Sequence, residues 1–345
     1  EKEFNTFAPT GSGMLNTGIL DILQRGSFET DAFITEWTVP AATTIVLPLD
    51  SAYSYNFIVD WGDDSDLSQV VAFNDPNARH TYMNSGIYTV RILGTCEAWR
   101  WGRSTHPIEC RQFLTKIIQW GNVHAKNFEE RESFAACIAL SSIPAGIPNM
   151  ENFNNTFYGC ESLTTLPSGL FSKCVNTTSF SNTFSHCTSL RSLPQDLFNA
   201  CTAVTEFNGT FYTTGLVYIP EKLFDNCQNI TSFQNTFGNC KNITNIPIGL
   251  FDKNENVISF LQTFAFCDNL KTIPLGLFDK CKKATDFMLT FYLCFNLTSE
   301  TPKTNGIELW ERAGLIGYPT TINGLICFYG CTNLTNYNSI PTNWK

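Results

Sequence analysis

Residues 156–182 read TFYGCESLTTLPSGLFSKCVNTTSFSN, and this string recurs along the chain. It returns as TFSHCTSLRSLPQDLFNACTAVTEFNG at 183–209 and TFYTTGLVYIPEKLFDNCQNITSFQN at 210–235. It follows again as TFGNCKNITNIPIGLFDKNENVISFLQ at 236–262 and TFAFCDNLKTIPLGLFDKCKKATDFML at 263–289. The leading Phe falls at 157, 184, 211, 237, 264 and 291, a spacing of 26 or 27 residues. A fixed period of this length marks a stack of like units in which each buries its apolar face against the next. Degenerate units at 134–144 (FAACIALSSIP) and 328–341 (FYGCTNLTNYNSIP) stand where the array must cap its two ends.

Each unit holds a weaker echo of itself, F-x-x-C-x-x-Φ-x-x-Φ at steps of 13 or 14, as in Phe184/Cys187/Leu190/Leu193 and then Phe198/Cys201/Val204/Phe207. One coil per 26–27 residues is the reading consistent with known repeat periods. The L-x-x-[LI]-P segments at 163–167, 190–194, 243–247 and 270–274 are expected to be short strands that Pro terminates. The G-L-F-x-x-C and T-F-x-x-C segments are expected to be single helical turns with Phe and Leu inward.

Composition agrees with a large folded chain. Of 345 residues 43% are hydrophobic and 15% charged, which excludes a disordered chain. The net charge of −9 lacks the basic footprint of a nucleic-acid binder. Residues 1–66 hold 11 acidic and 2 basic side chains, whereas residues 154–300 hold 11 acidic and 9 basic, so the repeats are nearly neutral. No run of 18 apolar residues spans a bilayer, and the chain opens on Glu-Lys-Glu without a visible signal peptide.

Twelve of the 14 Cys lie in the repeats. Cys137, Cys160, Cys187, Cys240, Cys267, Cys294 and Cys331 share one column, and Cys174, Cys201, Cys227 and Cys281 share another. Disulfide staples, a metal array and a buried thiol column compete. Thr214 and Asn254 fill the two gaps, so the slot is expected to want a compact side chain that satisfies a turn amide. Cys also behaves as a small buried hydrophobe, and the chain has no C-x-x-C pair and only four His to build a zinc site. The thiol column is therefore favoured. Cys96 and Cys110 flank a short connection, where a disulfide stays open, and Cys327 is expected to be packed.

Ahead of the repeats, alternation with period 2 marks strands at Phe33/Thr35/Trp37/Val39, Ile45/Leu47/Leu49, Tyr55/Phe57/Val59/Trp61 and Tyr88/Val90/Ile92. This argues a small antiparallel β-sandwich. Within it, Val59-Asp60-Trp61-Gly62-Asp63-Asp64-Ser65, His80-Thr81-Tyr82 and Gly86-Ile87-Tyr88-Thr89-Val90 resemble the polycystic-kidney-disease (PKD)-like immunoglobulin-like domain. The family pattern is W-G-D-G-S, H-x-Y and G-x-Y-x-V, and Asp64 replaces its second turn Gly. The repeat resembles the leucine-rich repeats of BspA-type bacterial surface proteins, with F-x-x-C-x-x-L cores. Ile117-Ile118-Gln119-Trp120-Gly121-Asn122 looks like the junction between two such modules.

The expected fold is thus two-domain, an all-β PKD/Ig-like sandwich followed by an α/β leucine-rich-repeat solenoid. Residues 1–30 form an N-terminal segment open to flexibility, 31–95 the sandwich, 96–133 a connector and N-terminal cap, and 134–345 the solenoid with its irregular C-terminal cap. The resemblance implies a secreted or surface-anchored protein, an outer-membrane lipoprotein whose anchor is absent from this chain. It implies adhesion to a protein or glycan on a host or neighbouring cell. The alternative is a carbohydrate-binding accessory protein of a polysaccharide-handling system. No cofactor, nucleic-acid partner or transmembrane segment is expected, and the chain reads as a monomer.

No H-E-x-x-H, G-x-S-x-G or P-loop pattern is present, so catalysis is not expected. Asp60, Asp63, Asp64 and Asp66 are weak calcium candidates, since carboxylates ligate hard cations, although Asp is common in turns and the spacing does not match an EF-hand. His80 is expected to hydrogen-bond within the sandwich and His186 to face solvent. Sequons at Asn154, Asn176, Asn208, Asn229, Asn242, Asn296 and Asn333 follow the repeat pattern more simply than glycosylation. Tyr158, Tyr212, Phe266, Tyr292 and Phe295 occupy variable positions and are weak candidates for surface contacts.

Overall fold

The computed structural model describes residues 17–101, 108–122 and 133–345. Among these residues the chain is mostly β-structured, with a single α-helix, α1 (Thr17–Arg25). The N-terminal part contains β1 (Phe33–Val39), β2 (Thr43–Val46), β3 (Tyr55–Asp60), β4 (Ser68–Val70), β5 (Arg79–Tyr82), β6 (Gly86–Cys96) and β7 (Leu114–Gln119). Five of them form a sheet in the order β4-β3-β6-β1-β7, and β2 pairs antiparallel with β5. The alternating residues of β1 do face inward: Phe33, Thr35, Trp37 and Val39 are buried. β4, β5 and β7 were not expected. They are short or lack clear alternation, and pairing with a neighbouring strand makes them.

The turn after β3 shows why its residues are what they are. Gly62 has φ +77, and a Cβ there would lie 2.4 Å from the Thr89 carbonyl oxygen. Asp64 itself adopts φ +63, a conformation Asp tolerates better than most residues. Helix α1, which the sequence reading did not anticipate, sets Ile19 and Ile22 against Ala32, Ile58 and Leu93. Residues 1–16 of the N-terminal segment lie outside the described residues.

β7 is shared. It closes the five-stranded sheet against β1, and its Lys116 also forms a parallel bridge to Ser142 of the first coil. From there coils stack at the sequence period, but two expectations about their backbone need correction. The L-x-x-[LI]-P segments are not strands; they carry only single-residue bridges, Thr165 to Ser192 and Asn245 to Thr272. The unbroken ladder lies elsewhere, through Asn152, Ser179, Glu206, Ser232, Ser259, Asp286 and Asn323.

The second correction concerns the expected helical turns, and with them the α/β class of the repeat region. T-F-x-x-C is a pair of tight turns with a left-handed residue in each, such as Asn155 (φ +55) and Gly159 (φ +68). Backbone accounting explains this geometry. The amides of Phe153, Asn155, Phe157 and Gly159 donate to carbonyls of the next coil, at Ser179, Ser181, Thr183 and Ser185. The amides between them at Thr156 and Tyr158, with that of Cys160, donate to the carbonyl three residues back. A helix would take all these amides inside the coil and leave the stack without a ladder.

Three columns of parallel phenylalanine rings fill the interior. One runs Phe134, Phe157, Phe184, Phe211, Phe237, Phe264, Phe291 and Phe328, with centroids such as Phe157 and Phe184 5.5 Å apart. A second starts Phe153, Phe180, Phe207, and a third Phe171, Phe198, Phe224; the last two interlock, with Phe198 and Phe207 4.6 Å apart. The threonine of T-F supports the ladder from inside. Thr183 Oγ1 lies 2.9 Å from the Phe153 carbonyl and 2.7 Å from that of Phe180, and Thr210, Thr236, Thr263 and Thr290 repeat the contact.

All 14 cysteines are free thiols and buried, including Cys96 and Cys110, so the open disulfide is not formed. The column thiols donate backwards by one coil: Cys187 Sγ to the Phe157 carbonyl at 3.2 Å and Cys294 to Phe264 at 3.0 Å. The thiol therefore caps a carbonyl, and the backbone amide of the slot residue one coil back, Cys160 for Cys187 and Cys267 for Cys294, also reaches its sulfur. Thr214 donates to the Phe211 carbonyl, and Asn254 Nδ2 to those of Phe224 and Cys227. Cys327 sits in the threonine slot of the last coil, fully buried.

Candidate functional site

The left-handed turns aim two side chains per coil at solvent, so the T-F-x-x-C segments together form one continuous ladder face. On it an open groove of about 430 Å³ is lined by Tyr158, Asn182, Ser185, His186, Asn208, Gly209, Tyr212, Gln234, Asn235, Gln262 and Phe266. Its depth comes from missing side chains. Gly209 stands where other coils carry Asn155, Asn182, Asn235 or Gln262, and Gly238 lies beneath the Tyr212 ring, 3.0 Å from where its Cβ would be.

Aromatic rings rise on either side. Tyr158, His186 and Tyr212 follow one another at 4.9 and 5.6 Å. Beyond Gly238 a second run, Phe266, Tyr292 and Tyr329, proceeds at 5.3 Å per step. His186 faces the open groove and is half-buried there, with Nδ1 2.9 Å from Ser185 Oγ. Its burial lowers the imidazole pKa, against a weaker upward pull from Glu161, which favours the neutral ring.

The floor is made of carboxamides, which differ from the carbonyl-capping amides of the stack. Asn229, Asn242, Asn296 and Asn333, all sequon residues, donate to carbonyls one coil back, at Thr202, Gly215, Asp268 and Phe295. Asn208 links to Glu206 and Ser232. By contrast the side chains of Asn182, Gln234, Asn235 and Gln262 make no hydrogen bond among the described residues. Each keeps a donor and an acceptor turned to the groove.

Of the contact candidates, Tyr158, Tyr212 and Phe266 line the groove and Tyr292 extends its wall, while half-exposed Phe295 packs beside Gly330, outside it. The floor carboxamides were missed, although a signal existed. The position two before the T-F phenylalanine is Asn155, Asn182, Gly209, Asn235 and Gln262 and then turns apolar at Leu289 and Ile326, which marks where the polar floor ends.

The calcium candidates are not brought together. Asp60 pairs with Arg91 at 3.0 Å and Asp63 with His80 Nε2 at 2.7 Å. Among the described residues no group of three or more His, Cys, Asp or Glu is arranged to hold a metal ion. His80 stacks on Trp61 at 5.0 Å and meets Tyr82 edge-on at 4.8 Å. His106 and His124 lie outside the described residues.

No family model and no curated protein matches this chain. Among solved structures, it is similar to a leucine-rich repeat protein from Bacteroides ovatus ATCC 8483, at 15% identity over 65% of this chain and 63% of that one, with a TM-score of 0.31. It is also similar to TLR13 in a complex with ssRNA13, at 13% identity over 58% of this chain and 40% of that one, with a TM-score of 0.16. The chain thus spans less than two thirds of either protein. At these scores the likenesses carry no weight beside the chain's own coil-to-coil hydrogen bonds.

Proposed function

We propose that this chain is a non-catalytic binding protein of a cell surface, in which a PKD-like sandwich supports a BspA-type leucine-rich-repeat solenoid. The ladder face presents the groove to a macromolecule of a host or neighbouring cell. The observation that carries this reading is the set of unpaired carboxamides on a face whose backbone is hydrogen-bonded from coil to coil. Asn229, Asn242, Asn296 and Asn333 elsewhere in the stack cap carbonyls instead. Recognition then needs no chemistry, only multipoint contact on a surface whose ordering cost is met by folding. Outward display, as a lipoprotein or secreted chain, follows from the sequence resemblance.

The test is solid-phase binding of the full chain to bacterial-envelope and host-matrix preparations. Saturable binding that unlabelled chain displaces is expected from at least one preparation. Absence of saturable binding to all of them overturns the reading, as does turnover of a broad glycan or peptide panel.

A further inference from the structure

We infer that the groove between Tyr158 and Phe266 is a subsite for an uncharged carbohydrate chain, its sugar faces on the aromatic walls and its hydroxyls on the carboxamide floor. The inference rests on the reading of the ladder face as a binding surface and names the ligand class.

The lining decides between ligand classes. It contains no Lys, Arg, Asp or Glu. A nucleic acid requires a cationic groove that tracks its phosphates, which is absent here. A carboxylate beside the lining, Glu206, is held by Ser179, Ser181 and Asn208, and it disfavours an anionic glycan. A peptide that added itself as a strand would need free backbone N–H and C=O groups. On this face those groups are used in the coil-to-coil ladder, as with Asn182 to Asn208 and Asn235 to Leu261.

What remains is a ligand with both donors and acceptors at each unit and with flat, weakly apolar faces. A sugar hydroxyl donates and accepts at once, which matches a carboxamide that offers one oxygen and one NH₂. The phenol hydroxyls of Tyr158 and Tyr212 extend the same chemistry to the rim, while their rings supply apolar area at small entropic cost. The volume of about 430 Å³ lies within the usual range for small-ligand clefts. The floor also advances by one coil between Asn182, Gly209, Asn235 and Gln262, so successive units of a linear chain meet equivalent groups. Beyond Gln262 the column turns to Leu289 and Ile326, and the polar floor stops.

The experiment is a panel of neutral and acidic oligosaccharides, followed by calorimetry on the full chain. Three groove variants serve: Tyr212→Ala, Gln234→Ala and Gly209→Asn. The last fills the groove with the side chain that neighbouring coils carry at φ near +55, as at Asn182 and Asn235, and displaces only the flexible end of Asn182. Ile248→Ser, at an 89% exposed position outside the groove, is the control. Saturable binding of neutral oligosaccharides is expected, weakened at least about tenfold by each groove variant and unchanged in the control, with all melting temperatures checked. Should Gly209→Asn fail to fold, the two alanine variants decide alone. No neutral-glycan binding, equal binding by the groove variants, or a peptide that occupies the groove instead overturns the inference. If envelope or matrix binding survives deglycosylation and the groove variants, the binding-protein reading stands and the carbohydrate assignment falls. If no preparation binds at all, both fall.

Discussion

Trp120 donates its indole Nε1–H to the Pro144 carbonyl at 3.0 Å while its ring stacks on Phe33 of β1 at 6.4 Å. One side chain thereby joins the sheet to the first coil, and Phe134 closes the cluster at 6.3 Å from Phe33 and 6.0 Å from Trp120. The two parts share a core, so they are expected to unfold together. Trp120→Ala removes that ring, a change that costs about 3–5 kcal/mol in a packed core. Calorimetry should then resolve two transitions in place of one. A single transition, shifted as a whole, would show that β7 alone couples the parts.

The thiol columns make an alkaline prediction. Burial pushes Cys187 up to about 12 and Cys240 up to about 11. An unfolded thiol titrates near ~8.5. The folded state therefore holds its protons longer, and this contribution to stability is whole below ~8.5 and declines as pH rises toward the folded values. The urea midpoint should fall between pH 8 and pH 10 by an amount that grows with the number of buried thiols. In the native protein at pH 8, a thiol reagent should label few of the described cysteines until denaturant is added. A constant midpoint with full native labelling would contradict both statements.

Asn254 offers a more local test. Its Nδ2 caps two carbonyls, but its buried Oδ1 has no partner. Asn254→Cys replaces the unpaired oxygen with the thiol its column carries elsewhere, and a change near zero or stabilising by about 1 kcal/mol is expected. Asn254→Ala leaves the carbonyls of Phe224 and Cys227 without that donor and should cost roughly 1–3 kcal/mol. Chemical denaturation of the pair checks the order.

In the turn after β3, burial raises the Asp63 carboxyl, but hydrogen bonds with Ser65 and His80 outweigh it and hold the pKa below its ordinary value. A carboxylate so depressed stabilises the fold above its unfolded pKa of ~3.9, and the contribution disappears as pH falls through the folded value. Asp63→Ala should cost roughly 0.5–1.5 kcal/mol at pH 7 and flatten the acid limb of stability against pH. Equal loss at pH 2.5 and pH 7 would mean that packing, not charge, holds this turn.

Much of the architecture was legible because it repeats. The T-F-x-x-C spacing gave the coil length, and the cysteine columns with their Thr214 and Asn254 gaps pointed to a thiol slot. The period-2 runs located β1, β3 and β6 of the five-stranded sheet and touched β2 of the smaller one at Ile45, while Leu47 and Leu49 lie beyond its end. What failed was local backbone conformation. T-F-x-x-C has the look of a helical turn, because a Phe and a Cys three apart share one face of a helix. In the stack, alternate amides instead leave the coil to reach the next one.

The sequence by itself determined the period, the inward phenylalanines, the near-neutral charge of the repeats and the beta character of the N-terminal part. Those properties are fixed by residue order, since like residues one period apart must meet when the units stack. Tertiary structure alone decided that β7 serves both sheet and coil and that the thiols cap carbonyls one coil back. It also decided that four carboxamides face a groove without partners. Each of these depends on which hydrogen-bonding groups the neighbouring coil leaves unpaired, and that is settled only when two coils, more than twenty residues apart in the chain, lie side by side.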